Sequence, residues 1–394
     1  MAISLKRSSS QKKQLKNPAS ARKWAISMTA VALVIWAFFT YAFDKTPDTV
    51  QSWFQVWLPP STLNESLVWV ICALGLNIVV GYAGLLDLGF VAFWAFGGYA
   101  AGWFMSGFFH QVNIHFGSMS PNTIPGIHLS FWLVMIIAAL IAGFFGIIIG
   151  APTLRLKSDY LALVTLGFGE IIPQVFTNGE NIGGFNLSNG TKGISPVDAI
   201  GVFGKRLGPF DLGWKFLIYF FLAACMVFVS LRIRGGRLGR AWLAIREDEL
   251  AASMMGVPLM RTKLTAYAVG AFSGGIGGAV YATHVNGIFA ERFNFSISII
   301  LLAMVVLGGM GNVWGVIIGA LIMAWINATG LPAIGDTFNN AFNTQINFPS
   351  YNFLLFGGIL VLMMLFKRDG LLPEARLKMI SHENDDETSN TGGH

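Results

Sequence analysis

Long apolar stretches, each about the length of a membrane crossing, alternate along this chain with short polar connectors. A bilayer core about 30 Å thick needs roughly 20 apolar residues in a helix. The pattern predicts spans at 24–43, 63–80, 88–109, 129–150, 159–176, 215–233, 264–286, 296–308, 312–328 and 351–366. About ten transmembrane helices therefore make an all-α polytopic membrane protein. One membrane domain occupies 24–366, between a basic arm at 1–23 and an acidic tail at 367–394. Two of the apolar stretches are broken by glycine, GYAGLLDLG at 81–89 and GGMGN at 308–312. Each break is a hairpin or an interrupted helix.

Composition points the same way. Of 394 residues, 54% are hydrophobic and 12% charged, and the mean hydropathy is +0.61. A soluble domain carries about a quarter charged residues, so a soluble enzyme is excluded. Cys72 and Cys225 both sit in apolar runs and report no redox compartment. Orientation follows the lysines and arginines, because short loops rich in them stay in the cytoplasm. The arm carries Lys6, Arg7, Lys12, Lys13, Lys16, Arg22 and Lys23, and the loop at 232–263 carries Arg232, Arg234, Arg237, Arg240, Arg246, Arg261 and Lys263. Linkers 110–128 and 329–350 contain neither residue. Both termini and the 232–263 loop are thus expected inside, and the 177–214 loop outside. The net charge of +6 then reflects this bias and not nucleic-acid binding. The long basic arm, and an apolar run with no small-x-small cleavage site, predict a retained anchor in place of a secretory signal.

Chemistry-bearing residues are few. Glu170 lies eleven residues after Asp159, about 16 Å along a helix and close to mid-bilayer. Ionisable groups there cost several kcal/mol and by default suggest function. It is either a buried carboxylate that pins a neighbouring helix or a group beside a permeation path. Pro173 should kink the same helix. Asp87, in the first break, is read as a helix cap. The alternative is that the broken span exposes backbone and helix ends to a cavity. Asn77 and Asn312 flank the two breaks and are placed to hydrogen-bond between helices. Small-xxx-small pairs, Gly98 with Gly102, Gly146 with Gly150, Gly274 with Gly278 and Gly315 with Gly319, predict a closely packed bundle. The histidines have no metal-ligand spacing, and there is no phosphate-binding loop of the Gly-x-x-x-x-Gly-Lys type. No cofactor is expected.

The 232–263 loop is about 30 residues long, helix-forming, and too charged to span. Leu243, Leu250 and Met254 share one helical face, which lies on the membrane surface or docks on a partner. Here the sequence resembles the permease subunits of ABC importers, whose cytoplasmic Glu-Ala-Ala-x-x-x-Gly motif fits a cleft on an ATPase. Leu250, Ala251, Ala252 and Gly256 hold the four named positions, with the glutamate displaced to Glu249. Four ordered segments widen the resemblance: 76–102, 156–171, 239–257, which runs from Gly239 through Arg246, and 301–320. Over roughly 63–367 the chain is similar to the larger permease subunit of the branched-chain amino acid permease family. The loop at 179–194 is similar to a family stretch but longer. The resemblance implies two ATPase subunits, a second homologous permease, a periplasmic substrate-binding protein and residence in a bacterial inner membrane. It also implies that the chain is not itself an enzyme. A sister branch carries urea or short amides and typically has Ser-Leu-Gly-His where this chain has Asp87-Leu88-Gly89-Phe90, which favours amino acids. An ion-coupled secondary transporter is the reading of a different class, and the docking loop argues against it.

Overall fold

Helices occupy every predicted span from 63 to 366. The computed structural model describes residues 33–38 and 47–372, apart from 119, 122, 157, 203, 209, 210, 368 and 369. The basic arm, most of the first predicted span and nearly all of the acidic tail lie outside the described residues. The helices are α1 (Asp48–Trp57), α2 (Pro60–Asn77), α3 (Phe90–Phe104), α4 (Phe131–Thr153), α5 (Ser158–Thr177), α6 (Leu212–Gly235) and α7 (Arg237–Glu247). They continue with α8 (Glu249–Met254), α9 (Leu259–Val285), α10 (Phe295–Gly308), α11 (Val313–Trp325), α12 (Leu331–Phe342) and α13 (Asn352–Phe366). Among the described residues, seven helical runs are long and apolar enough to cross a membrane, and α3 is a shorter apolar helix.

α9 is the axis of the bundle. A Cβ on Gly275 would lie 2.6 Å from the Ala138 carbonyl oxygen of α4, and one on Gly278 would lie 2.2 Å from the Trp94 carbonyl of α3. On a third side, a Cβ on Gly277 would meet Cys72 Sγ of α2 at 2.4 Å. Lipid tails are as apolar as leucine, so helices in a membrane associate through close packing, and small residues allow it. The predicted glycine pairs serve this purpose. Gly146 meets Ala271, Gly274 meets Phe93, and Gly315 and Gly319 meet the Gly308 and Met304 carbonyls. Tyr99 of α3 stacks on Phe176 of α5 at 3.8 Å and brings α5 against the bundle.

Two predicted boundaries shift. α3 ends at Phe104, five residues early, because Met105–Ser106 pairs as a strand (β1) with His128 and Ile127. β1 is one edge of a small sheet whose order is β1-β3-β2, with β2 at Asn113–Phe116 and β3 at Gly126–Leu129. Asp198 locks this cap to the 178–211 loop, accepting from His128 Nδ1 at 2.6 Å and from Ser120 Oγ. The second shift is at 329–350, expected to be a linker. The helix of α11 runs through a π turn (Ile326–Gly330) into amphipathic α12 and stops only at Asn343, which adopts a left-handed φ of 50°. Leu331, Ala333 and Gly335 bury one face of α12. The segment lacks Lys and Arg but holds Asp336 on its exposed side, and it is helical where the sequence suggested an irregular linker.

Candidate functional site

Both glycine breaks are reversals, and they meet. Along α2, Cys72 faces Gly277, Gly75 faces Ser273 and Val79 faces Gly270, so α2 runs antiparallel to α9. α3 runs parallel to α9, with Phe93 beside Gly274 and Gly98 beside Gly278. The chain therefore turns back between α2 and α3. A π turn (Ile78–Tyr82) ends α2 before the reversal, and such single turns recur at functional positions. α10 and α11 form the second reversal, with the Gly308 and Gly315 backbones in contact. Asn77 joins the two, its Oδ1 accepting from the Gly311 N–H at 2.9 Å across 234 residues of sequence. Gly81 has no room for a side chain at this junction. A Cβ there would stand 2.1 Å from Asn77 Oδ1 and 2.6 Å from Gly311 N.

The other predicted residues of the breaks have local duties. Asn312 caps α11 by accepting from the Trp314 N–H at 3.1 Å, and its amide donates to the Leu372 carbonyl at 2.9 Å. Asp87 is fully buried but is not the N-cap of α3, a place held by Gly89. Instead its Oδ1 accepts from the Gly89 N–H at 2.9 Å and from Tyr267 of α9 at 3.4 Å. The next residue, Leu88, donates its N–H to Thr165 Oγ1 of α5 at 3.1 Å. Thr165 and Tyr267 carried no motif and were legible only as polar residues inside apolar runs. Asp87→Asn keeps an oxygen acceptor and is expected to leave thermal stability nearly unchanged. Asp87→Leu leaves a buried N–H and a hydroxyl unpaired, at about 1–3 kcal/mol each. A melting curve of the purified protein separates the two.

The arginine-rich loop lies against the first break. It forms two helices and not one, because Asp248 leaves helical geometry and caps α8 by accepting from the Ala251 N–H at 2.9 Å. The face predicted for Leu243, Leu250 and Met254 is thereby split. α7 is anchored by Trp242, fully buried, whose Nε1 donates to the Thr262 carbonyl at 2.8 Å. Gly239 of α7 abuts the end of α6, where a Cβ would lie 2.4 Å from the Ile233 carbonyl oxygen. Arg246 donates from its guanidinium to the Gly81 carbonyl, and its stem fills the space beside Gly84. Tyr82 completes the joint through Ser230 Oγ at 2.9 Å and the Arg234 guanidinium at 5.9 Å. In α8, Glu249 pairs with Lys263 at 2.6 Å.

Of the motif residues, Ala252 turns inward and is 5% exposed, whereas Ala251 faces out. Gly256 is exposed with φ of 82° and open space where a Cβ would be. Within this chain it serves the turn. The outward apolar surface is Leu250, Met254 and Met255, at 68, 78 and 85% exposure.

Glu170 lies elsewhere. α5 buries Leu161, Thr165, Gly169 and Phe176 and presents Tyr160, Leu163, Glu170 and Gln174 on its opposite side, with Asn178 exposed just past its end. The expected pairing of Glu170 with a neighbouring helix is not found: it is exposed and makes no hydrogen bond or ion pair among the described residues. Glu170, Gln174 and Asn178 thus form a polar patch on the outside of this chain, along the second half of α5 and just past its end, among exposed Leu163, Ile171 and Val175. Among the described residues, no group of three or more His, Cys, Asp or Glu could hold a metal ion.

Comparison with known proteins matches residues 59–364 to the family model described as branched-chain amino acid transport system / permease component. The chain is 35% identical to the high-affinity branched-chain amino acid transport system permease protein LivM of Escherichia coli (strain K12), over 79% of this chain and 69% of that protein. It is equally similar to the LivM protein of Salmonella typhimurium. A probable branched-chain amino acid transport permease protein LivM from Methanocaldococcus jannaschii is 26% identical over 78% of this chain and 91% of the relative. No solved structure matches the chain.

Proposed function

Because this chain belongs to the branched-chain amino acid transport system permease component family, we propose that it is a permease subunit of an ATP-driven importer for branched-chain or other apolar amino acids. The family match across residues 59–364 carries the reading. Two ATPase subunits, a second homologous permease and a periplasmic substrate-binding protein are its partners. The arginine-rich end faces the cytoplasm by the positive-inside rule, and the protein resides in the inner membrane.

Two surfaces divide the work. At the cytoplasmic end, Leu250, Met254 and Met255 form an exposed apolar knob on a short helix, and this knob seats in the ATPase. Movement of the knob passes through α7, where Arg246 holds the Gly81 carbonyl, and then through Asn77 to Gly311 in the second reversal. Along the side, a carboxylate facing lipid would cost several kcal/mol. The polar face of α5 is therefore covered by the second permease or lines the water-filled half-path between the two. Glu170 belongs to that path.

The deciding experiment reconstitutes the four kinds of subunit in liposomes with labelled leucine. Uptake that needs ATP inside and binding protein outside is the expected result. Uptake driven by a proton gradient without ATP would overturn the assignment. In the same system, Glu170→Gln is expected to lower uptake about tenfold, since a costly ionisable group kept at membrane depth marks a functional position. All subunits should still co-purify. Unchanged transport would remove Glu170 from the path.

A further inference from the structure

An apolar groove of about 260 Å³ opens on the bundle surface between α6 and α9, distant in the fold from the polar face of α5. Phe221, Cys225 and Val229 line it from α6, and Val269, Phe272 and Ile276 line it from α9. Trp132 and Met135 of α4 and Ile78 of the π turn complete it. Its walls are exposed: Phe221 is 58% exposed, Val229 40% and Phe272 38%. The only polar oxygen group among the lining side chains, Ser273 Oγ, is already committed to the Gly270 carbonyl at 2.6 Å.

Each wall leads down to an arginine. Residues three or four apart share a helix face, and the stripe Leu222, Cys225, Val229 on α6 continues to Arg232. On α9 the stripe Ile276, Phe272, Val269, Thr265 continues to Arg261, in the first turn of the helix. Both arginines are exposed, and neither has a hydrogen bond or ion pair among the described residues. At 1.5 Å per residue, Arg261 stands about 12 Å along the axis from Val269. That is within the length of an acyl chain and its glycerol linkage.

We propose that this groove is a binding site for an anionic phospholipid of the leaflet at the arginine-rich end. One acyl chain lies between α6 and α9, and the phosphate is held at Arg232 and Arg261. The occupant follows from depth and charge. An apolar slot inside the bilayer takes a hydrocarbon chain, and two exposed guanidiniums further along the same helix faces, beyond the groove itself, take a phosphate, which arginine binds bidentately. A basic pocket between helices at the membrane boundary is the form that anionic headgroup recognition takes.

The test uses the complete importer in nanodiscs containing phosphatidylglycerol or phosphatidylcholine with the same diazirine-bearing acyl chain. Photoadducts are mapped by peptide mass spectrometry. The expected result is labelling within 221–229 and 269–276 that favours phosphatidylglycerol, falling roughly fivefold for each arginine replaced in Arg232→Gln and Arg261→Gln. Arg232→Lys keeps the charge and should keep most of the preference. Equal labelling by both lipids, indifferent to these substitutions, would mean ordinary annular lipid and overturn the proposal. So would the absence of lipid adducts in both segments, which would show that another protein segment covers the groove.

Discussion

An importer carrying Leu250→Asp and Met254→Asp is expected to insert normally and to lose its ATPase subunits when purified in detergent. These side chains project from α8 and leave most of their surface free, at 68 and 78% exposure, so the proposed partner contact would account for most of their packing. Exposed apolar residues that become the buried centre of an interface typically contribute about 2 kcal/mol or more each. Two buried charges in their place should weaken retention at least roughly a hundredfold. The fold is spared because α8 contributes only Ala252 to the interior. Ala252→Asp is the informative contrast. That side chain is buried within this chain, so a carboxylate there would unseat α8 from its own protein and lower thermal stability as well as retention. Gly256→Leu should act differently again, straining a backbone that sits at φ of 82° without colliding with anything. Co-purification against an affinity tag on the permease, with a melting curve for each variant, distinguishes the three. Normal ATPase retention in the Leu250→Asp, Met254→Asp protein would make α8 an ordinary surface helix.

That contrast also shows where sequence reasoning stopped. The spans from 63 to 366 were legible as helices because a bilayer demands helices of one length and polarity, although seven helical runs and not ten are long and apolar enough to cross among the described residues. The ends moved at Phe104, where strand pairing took over, and at Phe342, where a segment without Lys or Arg proved helical. The small-residue pairs were legible as packing for the same reason. What could not be read was direction. Ala251 and Ala252 are identical side chains in one motif, and which of them faces inward is set by the break at Asp248 and the seat of Trp242 under α9. Glu170 falls within the helix where the sequence put it, but whether its side chain points into the bundle or out of it depends on neighbours with no sequence signal. The Asn77 to Gly311 bond joins residues 234 positions apart, and each break taken alone offered only a hairpin or an interrupted helix. Arg246 read as a topogenic charge and as part of the ATPase-coupling segment with Gly239, and what no pattern foretold was its contact with the Gly81 carbonyl.

Gly81→Ala is expected to produce an importer that assembles and hydrolyses ATP but transports poorly. The added methyl group would fall 2.1 Å from Asn77 Oδ1 and 2.6 Å from Gly311 N, well inside contact distance. The Asn77 side chain would be pushed off its acceptor role and the two reversals forced apart. A buried N–H left without its acceptor costs about 1–3 kcal/mol, enough to shift a two-state joint roughly five- to a hundredfold but small against the packing that holds α9 to α2, α3 and α4. The ATPase contact proposed for α8 is untouched, so the loss should fall on the ratio of amino acid taken up to ATP hydrolysed and not on assembly. Asn77→Leu, which removes the acceptor without adding bulk at Gly81, should lower the same ratio. Arg246→Gln should do so as well, because it cuts the connection one step nearer the ATPase. Proteoliposomes measured for uptake and hydrolysis together give the ratio directly. A ratio equal to the unmodified importer in all three variants would mean that the two reversals are joined for stability alone, and that motion reaches the path by another route.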